Sequence, residues 1–165
     1  MRVQKEMTKL MLRRRGYTAL TKESDRYFIS CTPDDSSRAI AYFVQYSKVS
    51  IDTIKTVLAI TTTEMTFKPV TTIIIVYATA QTPEAKKAIA ITAPFTIETF
   101  TFDEMAFDIL DVVPTHQLVS GPKPREWQRY PIILSTDIVS RYFGFKKGDV
   151  VKIDEFDGLT YRRCA

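Results

Sequence analysis

One apolar run constrains the fold of this chain more than any other feature. TTIIIVYA, residues 71–78, is a continuous stretch rich in β-branched residues, which is typical of a strand covered on both faces. It is far shorter than the ~20 residues that a membrane helix requires, so we predict no membrane segment. Since 45% of the 165 residues are apolar, the chain can bury a core around this strand.

The segments that follow this run predict a helix and a second strand. TPEAKKAIAI, residues 82–91, begins with a capping residue, Thr82, and has Pro83 at the first helical position. PFTIETFTF, residues 94–102, is typical of a strand. A strand, a crossover helix and a strand predict a right-handed parallel unit.

The residues before the run predict a helix, a hairpin and a second helix. The first helix has an apolar face and ends at Gly16. DRYFISCT and RAIAYFVQY are strand-like and are separated by the turn-forming residues PDDSS. SIDTIKTVLAI then has helical spacing, with Ser50 as its cap. Residues 1–112 are therefore predicted to form an α/β domain with a small mixed sheet.

Proline content changes after residue 112 and predicts a second domain, residues 113–165. Four prolines between 114 and 131 exclude a long helix there. STDIVSRYFGF predicts a short helix capped by Ser135 or Thr136 and ended by Gly144. GDVVKIDEF and LTYRRCA predict two strands joined by Asp157 and Gly158. The expected fold class is α+β, with a compact, β-rich C-terminal domain that contains one short helix.

Charge is unevenly distributed along the chain. Residues 1–26 hold eight Lys and Arg against three acidic residues, residues 27–119 hold six against ten, and residues 120–165 hold nine against six. Basic ends can attract a polyanion, but a solvated charged surface explains the same pattern. Charge alone does not assign nucleic-acid binding.

No set of residues predicts catalysis. Pro33 and Asp34, with Glu84 and Lys86, imitate a metal-dependent nuclease motif, which we keep as an alternative. Its halves lie fifty residues apart, and Glu84 is better explained as a carboxylate that complements the positive end of a helix. The single histidine, His116, has no metal-ligand spacing and is expected in a loop or strand. We predict no catalytic residue, metal, cofactor or small-molecule substrate.

The two cysteines, Cys31 and Cys164, lack the dense spacing of a disulfide framework, and the chain starts without an apolar signal-peptide core. These features predict a reducing, intracellular compartment. Each cysteine is expected to be a small packing residue, or in the case of Cys164 part of a frayed terminus.

The C-terminal segments TDIVSRYFGFKKGDVVKI and GLTYRR resemble the signature of the fifth-largest subunit shared by the three eukaryotic nuclear RNA polymerases, whose archaeal counterpart has only the C-terminal module. LMLRRRGY, IDTIKTVL, QTPEAKKAI with APF, and DVVPTHQLV are also similar to that family, so the resemblance covers nearly the whole chain. The residues that fit the C-terminal signature are Asp137, Arg141, Tyr142, Phe143, Gly144, Lys147, Gly148, Val150, Val151, Lys152, Ile153, Tyr161 and Arg162.

The resemblance implies a noncatalytic polymerase subunit. The C-terminal domain would dock on the largest subunit, and the N-terminal domain would form a jaw that flanks downstream duplex DNA without sequence preference. The residues implied in docking are Asp137, Arg141, Tyr142, Gly144, Lys147, Gly148, Val151, Lys152, Tyr161 and Arg162. Those implied to face DNA are Thr82, Pro83, Glu84, Ala85, Lys86 and Lys87.

Three departures from the family pattern indicate a divergent form. Ile138 stands where the family has proline, Glu84 stands where serine is usual, and the connector SGPKPREWQRYP is short. A protist protein or a viral polymerase subunit would both fit, so the expected location is the nucleus for a cellular protein and the cytoplasm or virion for a viral one. A free-standing transcription factor is the non-enzymatic alternative.

Overall fold

The computed structural model describes residues 1–66, 68–92 and 95–165. The chain divides into two compact units, Met1–Phe107 and Asp108–Ala165. The assignment of separate functional domains divided at residue 112 stays a prediction. The predicted start of a strand at Pro94, and the first two residues of the APF match, lie outside the described residues.

The first unit contains a five-stranded mixed sheet in the order β1-β2-β3-β4-β5. β2 and β3 form the predicted antiparallel hairpin. β4 and β5 are parallel, as predicted, and β3 is parallel to β4. The elements are α1 (Arg2–Arg14), β1 (Ala19–Glu23), β2 (Tyr27–Cys31), β3 (Arg38–Val44), α2 (Ile51–Met65), β4 (Val70–Tyr77), α3 (Pro83–Ile91) and β5 (Thr96–Thr101).

Strand β4 lies between β3 and β5 and contributes fully buried residues to the core. Residues 73–76 have no exposed surface, which confirms that this strand is covered on both faces. On one face Ile73 and Ile75 belong to a cluster that includes Ile54 of α2 and Ala85 of α3. On the other face, α1 places the ammonium of Lys9 5.7 Å from the ring centre of Phe28.

Local signals predict the end of α1 and the start of α2, but not the end of α2. Gly16 has φ +94° and ends α1, with hydrogen bonds from the amides of Gly16 and Tyr17 to the carbonyls of Arg13 and Leu12. The predicted cap of α2 is confirmed, because the amide of Thr53 donates to Ser50 Oγ. α2 is longer than predicted and ends at Met65. Its late threonines donate to carbonyls four residues earlier, which satisfies their hydroxyls within the helix.

The second unit contains a four-stranded sheet in the order β6-β8-β9-β7. β8 and β9 form the predicted hairpin, and β6 pairs antiparallel with β8. The short β7 pairs parallel with β9. The elements are β6 (Thr115–Leu118), β7 (Ile132–Ile133), α4 (Ile138–Phe143), β8 (Val150–Glu155) and β9 (Gly158–Cys164), with 3₁₀ turns at Ile109–Asp111 and Trp127–Arg129.

The helix α4 corrects one prediction and confirms another. The predicted caps Ser135 and Thr136 are wrong, because the cap is Asp137, whose carboxylate accepts a hydrogen bond from the amide of Val139 at 2.8 Å. Gly144 ends the helix with φ +72°, as predicted. The amides of Gly144 and Phe145 donate to the carbonyls of Arg141 and Ser140, which satisfies groups that a helix end leaves unpaired. None of the helices in the described ranges is long and apolar enough to cross a membrane.

Candidate nucleic-acid and partner interfaces

The turn that leads from β4 into α3 is the candidate DNA-facing element. Thr82 caps the helix, since its hydroxyl accepts a hydrogen bond from the amide of Ala85 at 3.2 Å, and Pro83 occupies the first turn. The side chains of Pro83, Glu84, Lys86 and Lys87 are exposed. One carboxylate therefore lies in the first turn and two ammonium groups follow it.

Ala85 does not belong to the exposed part of this turn. Its side chain is fully buried in the core cluster shared by the sheet, α2 and α3. The prediction that Ala85 faces DNA is therefore wrong for its side chain. A small residue is needed here because the first turn of α3 packs closely against its neighbours.

The loop between β3 and α2 is joined to this turn by backbone hydrogen bonds. The amide of Val49 donates to the carbonyl of Ala80 at 2.8 Å, and the amide of Thr82 donates to the carbonyl of Val49 at 2.9 Å. Val49 also forms a parallel bridge with Gln81. The two loops at the carboxyl ends of β3 and β4 are thus one continuous surface.

The two halves of the nuclease-like motif lie at opposite ends of the sheet. Asp34 is in the turn before β3, whereas Glu84 follows β4, which runs parallel to β3. Hydrogen bonds from Thr32 and Ser36 lower the pKa of the Asp34 carboxyl to about 2. This carboxylate therefore stabilises the turn between β2 and β3. No cluster of three or more His, Cys, Asp or Glu side chains that could hold a metal ion occurs within the described ranges.

In the second unit, the basic turn after α4 is closed by hydrogen bonds from backbone amides, one of them to the Asp149 carboxylate. Asp149 accepts a hydrogen bond from the amide of Lys146 at 2.7 Å. The amide of Gly148 donates to the carbonyl of Cys164 at 2.8 Å, and Gly148 has φ +89°. Lys147 is exposed at this turn, so its ammonium is presented on a rigid backbone.

A groove of about 350 Å³ lies between α4 and the sheet of the second unit. Asp137 and Arg162, two of the residues implied in docking, line it. Ile132 and Leu134 also line it and are 46% and 59% exposed. The groove therefore combines an apolar floor with one cationic side chain, Arg162, and two anionic ones, Asp137 and Glu155.

Two other docking residues lie side by side on neighbouring strands. Lys152 of β8 pairs with Tyr161 of β9 in the register of the hairpin. The ring of Tyr161 stacks on Tyr130 with 5.6 Å between ring centres. Because neighbouring residues on a strand point to opposite faces, Tyr161 and Arg162 belong to different faces of the sheet. The implied docking residues are therefore divided between two surfaces.

Two residues of the docking set are core residues. Tyr142 is 2% exposed and Val151 has no exposed surface, so their side chains cannot contact a partner, and that part of the prediction is wrong. They match the family pattern because they support the fold. Gly144 likewise contributes the end of α4. Arg141 donates from Nε to the carbonyl of Thr136 at 3.3 Å.

The histidine and the cysteines have structural environments. His116 lies in β6, its Nδ1 is 2.7 Å from the carbonyl oxygen of Pro114, and its ring stacks on Phe143. Cys31 and Cys164 are free thiols and are buried, and burial raises the pKa of each. Cys164 of β9 pairs with Ile133 of β7, so it is a packing residue and its terminus is not frayed.

Sequence reasoning missed the apolar residues of the groove. Ile132 and Leu134 follow the proline-rich connector, where no periodicity marks a buried face. The only signal in the sequence is the short apolar run IIL, and it does not show that Ile132 and Leu134 are exposed while Ile133 between them is buried.

Comparison with known proteins identifies the family of this chain. The proteins named DNA-directed RNA polymerases I, II, and III subunit RPABC1 of Caenorhabditis elegans and Caenorhabditis briggsae are each 32% identical over 145 residues, which cover 78% of this chain and 67% of theirs. An uncharacterized protein of Frog virus 3, 028R, is 30% identical over 89 residues, 51% of this chain and 54% of its own length. No family model matches the chain. The identity and coverage shared with the two nematode subunits show that this chain belongs to the family of the fifth-largest subunit common to RNA polymerases I, II and III.

Proposed function

We propose that this protein is a noncatalytic subunit of a multisubunit DNA-dependent RNA polymerase. Its C-terminal unit docks on the largest subunit, and its N-terminal unit is a jaw that flanks downstream duplex DNA. The observation that carries the proposal is family membership across most of the chain. Two surfaces support these separate roles. The second unit has an apolar groove that suits a protein partner, and the first has an exposed helix start that suits DNA.

The groove suits a protein partner better than a nucleic acid. Its exposed apolar side chains, Ile132 and Leu134, gain stability when a partner removes them from water. Asp137 and Arg162 at the same groove can pair with opposite charges and thereby set the orientation of the partner. A nucleic-acid backbone would also be repelled by the carboxylates of Asp137 and Glu155, which line the same groove.

The docking surface can be tested by purifying the tagged full-length protein from the cells or virions that encode it. We expect the largest polymerase subunit to co-purify. Leu134→Asp should lower its yield at least tenfold, because a carboxylate would be buried against the partner. The matched control is Phe156→Asp, which alters a fully exposed side chain outside the groove. Equal yields from both variants would contradict docking at the groove.

The jaw proposal concerns the start of α3, where free amides and the helix dipole favour phosphate. Glu84 opposes this attraction, and Lys86 and Lys87 offset it. The contact should therefore be weak, near the nonspecific range of ~10⁻⁴ M for the isolated chain, and steeply dependent on salt. It becomes effective when the assembled enzyme holds DNA close.

We expect Glu84→Ser to strengthen crosslinking of the assembled polymerase to downstream DNA. The double substitution Lys86→Ala with Lys87→Ala should weaken it, because each lysine that contacts a phosphate contributes counterion release. Photocrosslinking or downstream footprinting measures both effects. If none of these substitutions changes the crosslink, the turn does not face DNA, while the docking proposal is unaffected.

A further inference from the structure

We propose that Tyr46 and Lys48, in the loop between β3 and α2, form a second contact with the sugar-phosphate backbone of the same DNA duplex. The inference rests on the proposed role of the α3 start as a DNA-facing turn. It adds a site in a different segment of the chain, so the DNA surface is made of two loops.

The position of the loop follows from its hydrogen bonds to the β4–α3 turn. Val49 exchanges backbone hydrogen bonds with Ala80 and Thr82 at 2.8 and 2.9 Å. Thr79 Oγ1 also donates to the carbonyl of Ser47 at 2.8 Å. Val49 itself is fully buried, which anchors the loop between β3 and α2 in the core. A duplex that reaches Thr82 therefore meets a loop whose position is already determined.

The exposed side chains of this loop have the chemistry of a phosphate contact. Tyr46 is 89% exposed, and Lys48 is exposed two residues later. A tyrosine hydroxyl can donate a hydrogen bond to a phosphate oxygen, and a lysine ammonium can neutralise one. Burying the tyrosine ring against the backbone sugars would also remove apolar surface from water.

At the carboxyl ends of β3 and β4, the charges of the loops favour phosphate binding. The segments 45–56 and 78–88 carry four lysines and two acidic residues. One of these acids, Asp52, lies 3.8 Å from Lys55. The segment after β5 instead carries Asp103 and Glu104, which repel phosphate. Among the loops at this end of the sheet, polyanion binding should therefore be confined to the two loops joined at Val49.

The groove beside Tyr46 carries charges of both signs. Asp25, Arg26 and Asp52 line it with Tyr46. Asp52 is already included in the charges of segment 45–56, and the charges of Asp25 and Arg26 cancel, so the groove adds no net negative charge to the surface. Lys48 is then the nearest cation in sequence to the exposed ring.

The test is an NMR titration of the isotopically labelled full-length chain with a 20-base-pair duplex of mixed sequence at low salt. We expect the amide resonances of residues 46–48 to shift together with those of residues 82–87. Lys48→Ala should reduce the slope of log K against log salt by about 0.9, the value for one phosphate contact. Tyr46→Phe should weaken binding because it removes the hydroxyl donor, and Tyr46→Ala should weaken it further because it also removes the ring.

The control is Lys68→Ala, which removes the same charge at the opposite end of β4 and should leave the salt slope unchanged. Unchanged spectra of the free variants report intact folds. If residues 82–87 shift while residues 46–48 do not, this inference is overturned and the jaw proposal stands. If neither set shifts at millimolar duplex, both the inference and the DNA-facing role of the α3 start are overturned.

Discussion

At the residue scale, Gly144 shows how one backbone conformation supports the C-terminal unit. Its φ of +72° lies in the left-handed region, where a residue with a Cβ costs about 1–2 kcal/mol. Gly144→Val should therefore lower the free energy of unfolding by at least about that amount, because valine is also β-branched. Gly144→Asn is the matched comparison, since asparagine tolerates this conformation better. Thermal unfolding measures both variants, and equal losses would mean that backbone conformation is not the cause.

Residue identity and residue orientation were not equally predictable. The caps Ser50 and Thr82 and the terminator Gly144 follow from rules that act within one helical turn, so the sequence alone predicts them. The family pattern assigns Ala85, Tyr142 and Val151 to surfaces, although their side chains are buried. Such a pattern records core residues and contact residues alike, and only the packing of distant segments separates them.

At the element scale, the end of α1 is attached to β5 by a bidentate ion pair. Arg15 donates to both carboxylate oxygens of Glu98 at 3.2 and 2.7 Å, and the two side chains are only 7% and 13% exposed. Arg15→Ala removes the guanidinium from the nearly buried carboxylate of Glu98 and should lower the free energy of unfolding by about 3–5 kcal/mol. Urea unfolding measures the loss. Arg13→Ala, at an exposed position of the same helix, should cost less than about 0.5 kcal/mol, and a similar loss in both variants would argue against the ion pair.

The elements with strong periodicity were predictable, whereas the edge strands were not. β4 has a continuous apolar run, and its neighbours follow from it. β1 has five exposed side chains, so no alternation marks it, and its existence depends on pairing with β2. β7 has two residues and forms only because β9 lies beside it. Long-range pairing therefore decides the parts of both sheets that local patterns leave undetermined.

At the scale of the whole molecule, the docking function should reside in the second unit alone. Residues 108–165 form a compact unit with its own hydrophobic core, including Val139, Tyr142, Val150 and Val151. The unit should begin at Asp108, because the Asp108 carboxylate caps the first 3₁₀ turn by accepting a hydrogen bond from the amide of Leu110. Ile109 in this turn is buried, with 5% of its surface exposed. We expect a tagged 108–165 fragment to retain the largest polymerase subunit, and a 113–165 fragment, which lacks this turn, to retain less. Circular dichroism verifies that each fragment is folded. If residues 1–107 retain the largest subunit and a folded 108–165 fragment does not, docking belongs to the first unit and the proposed roles of the two units are wrong.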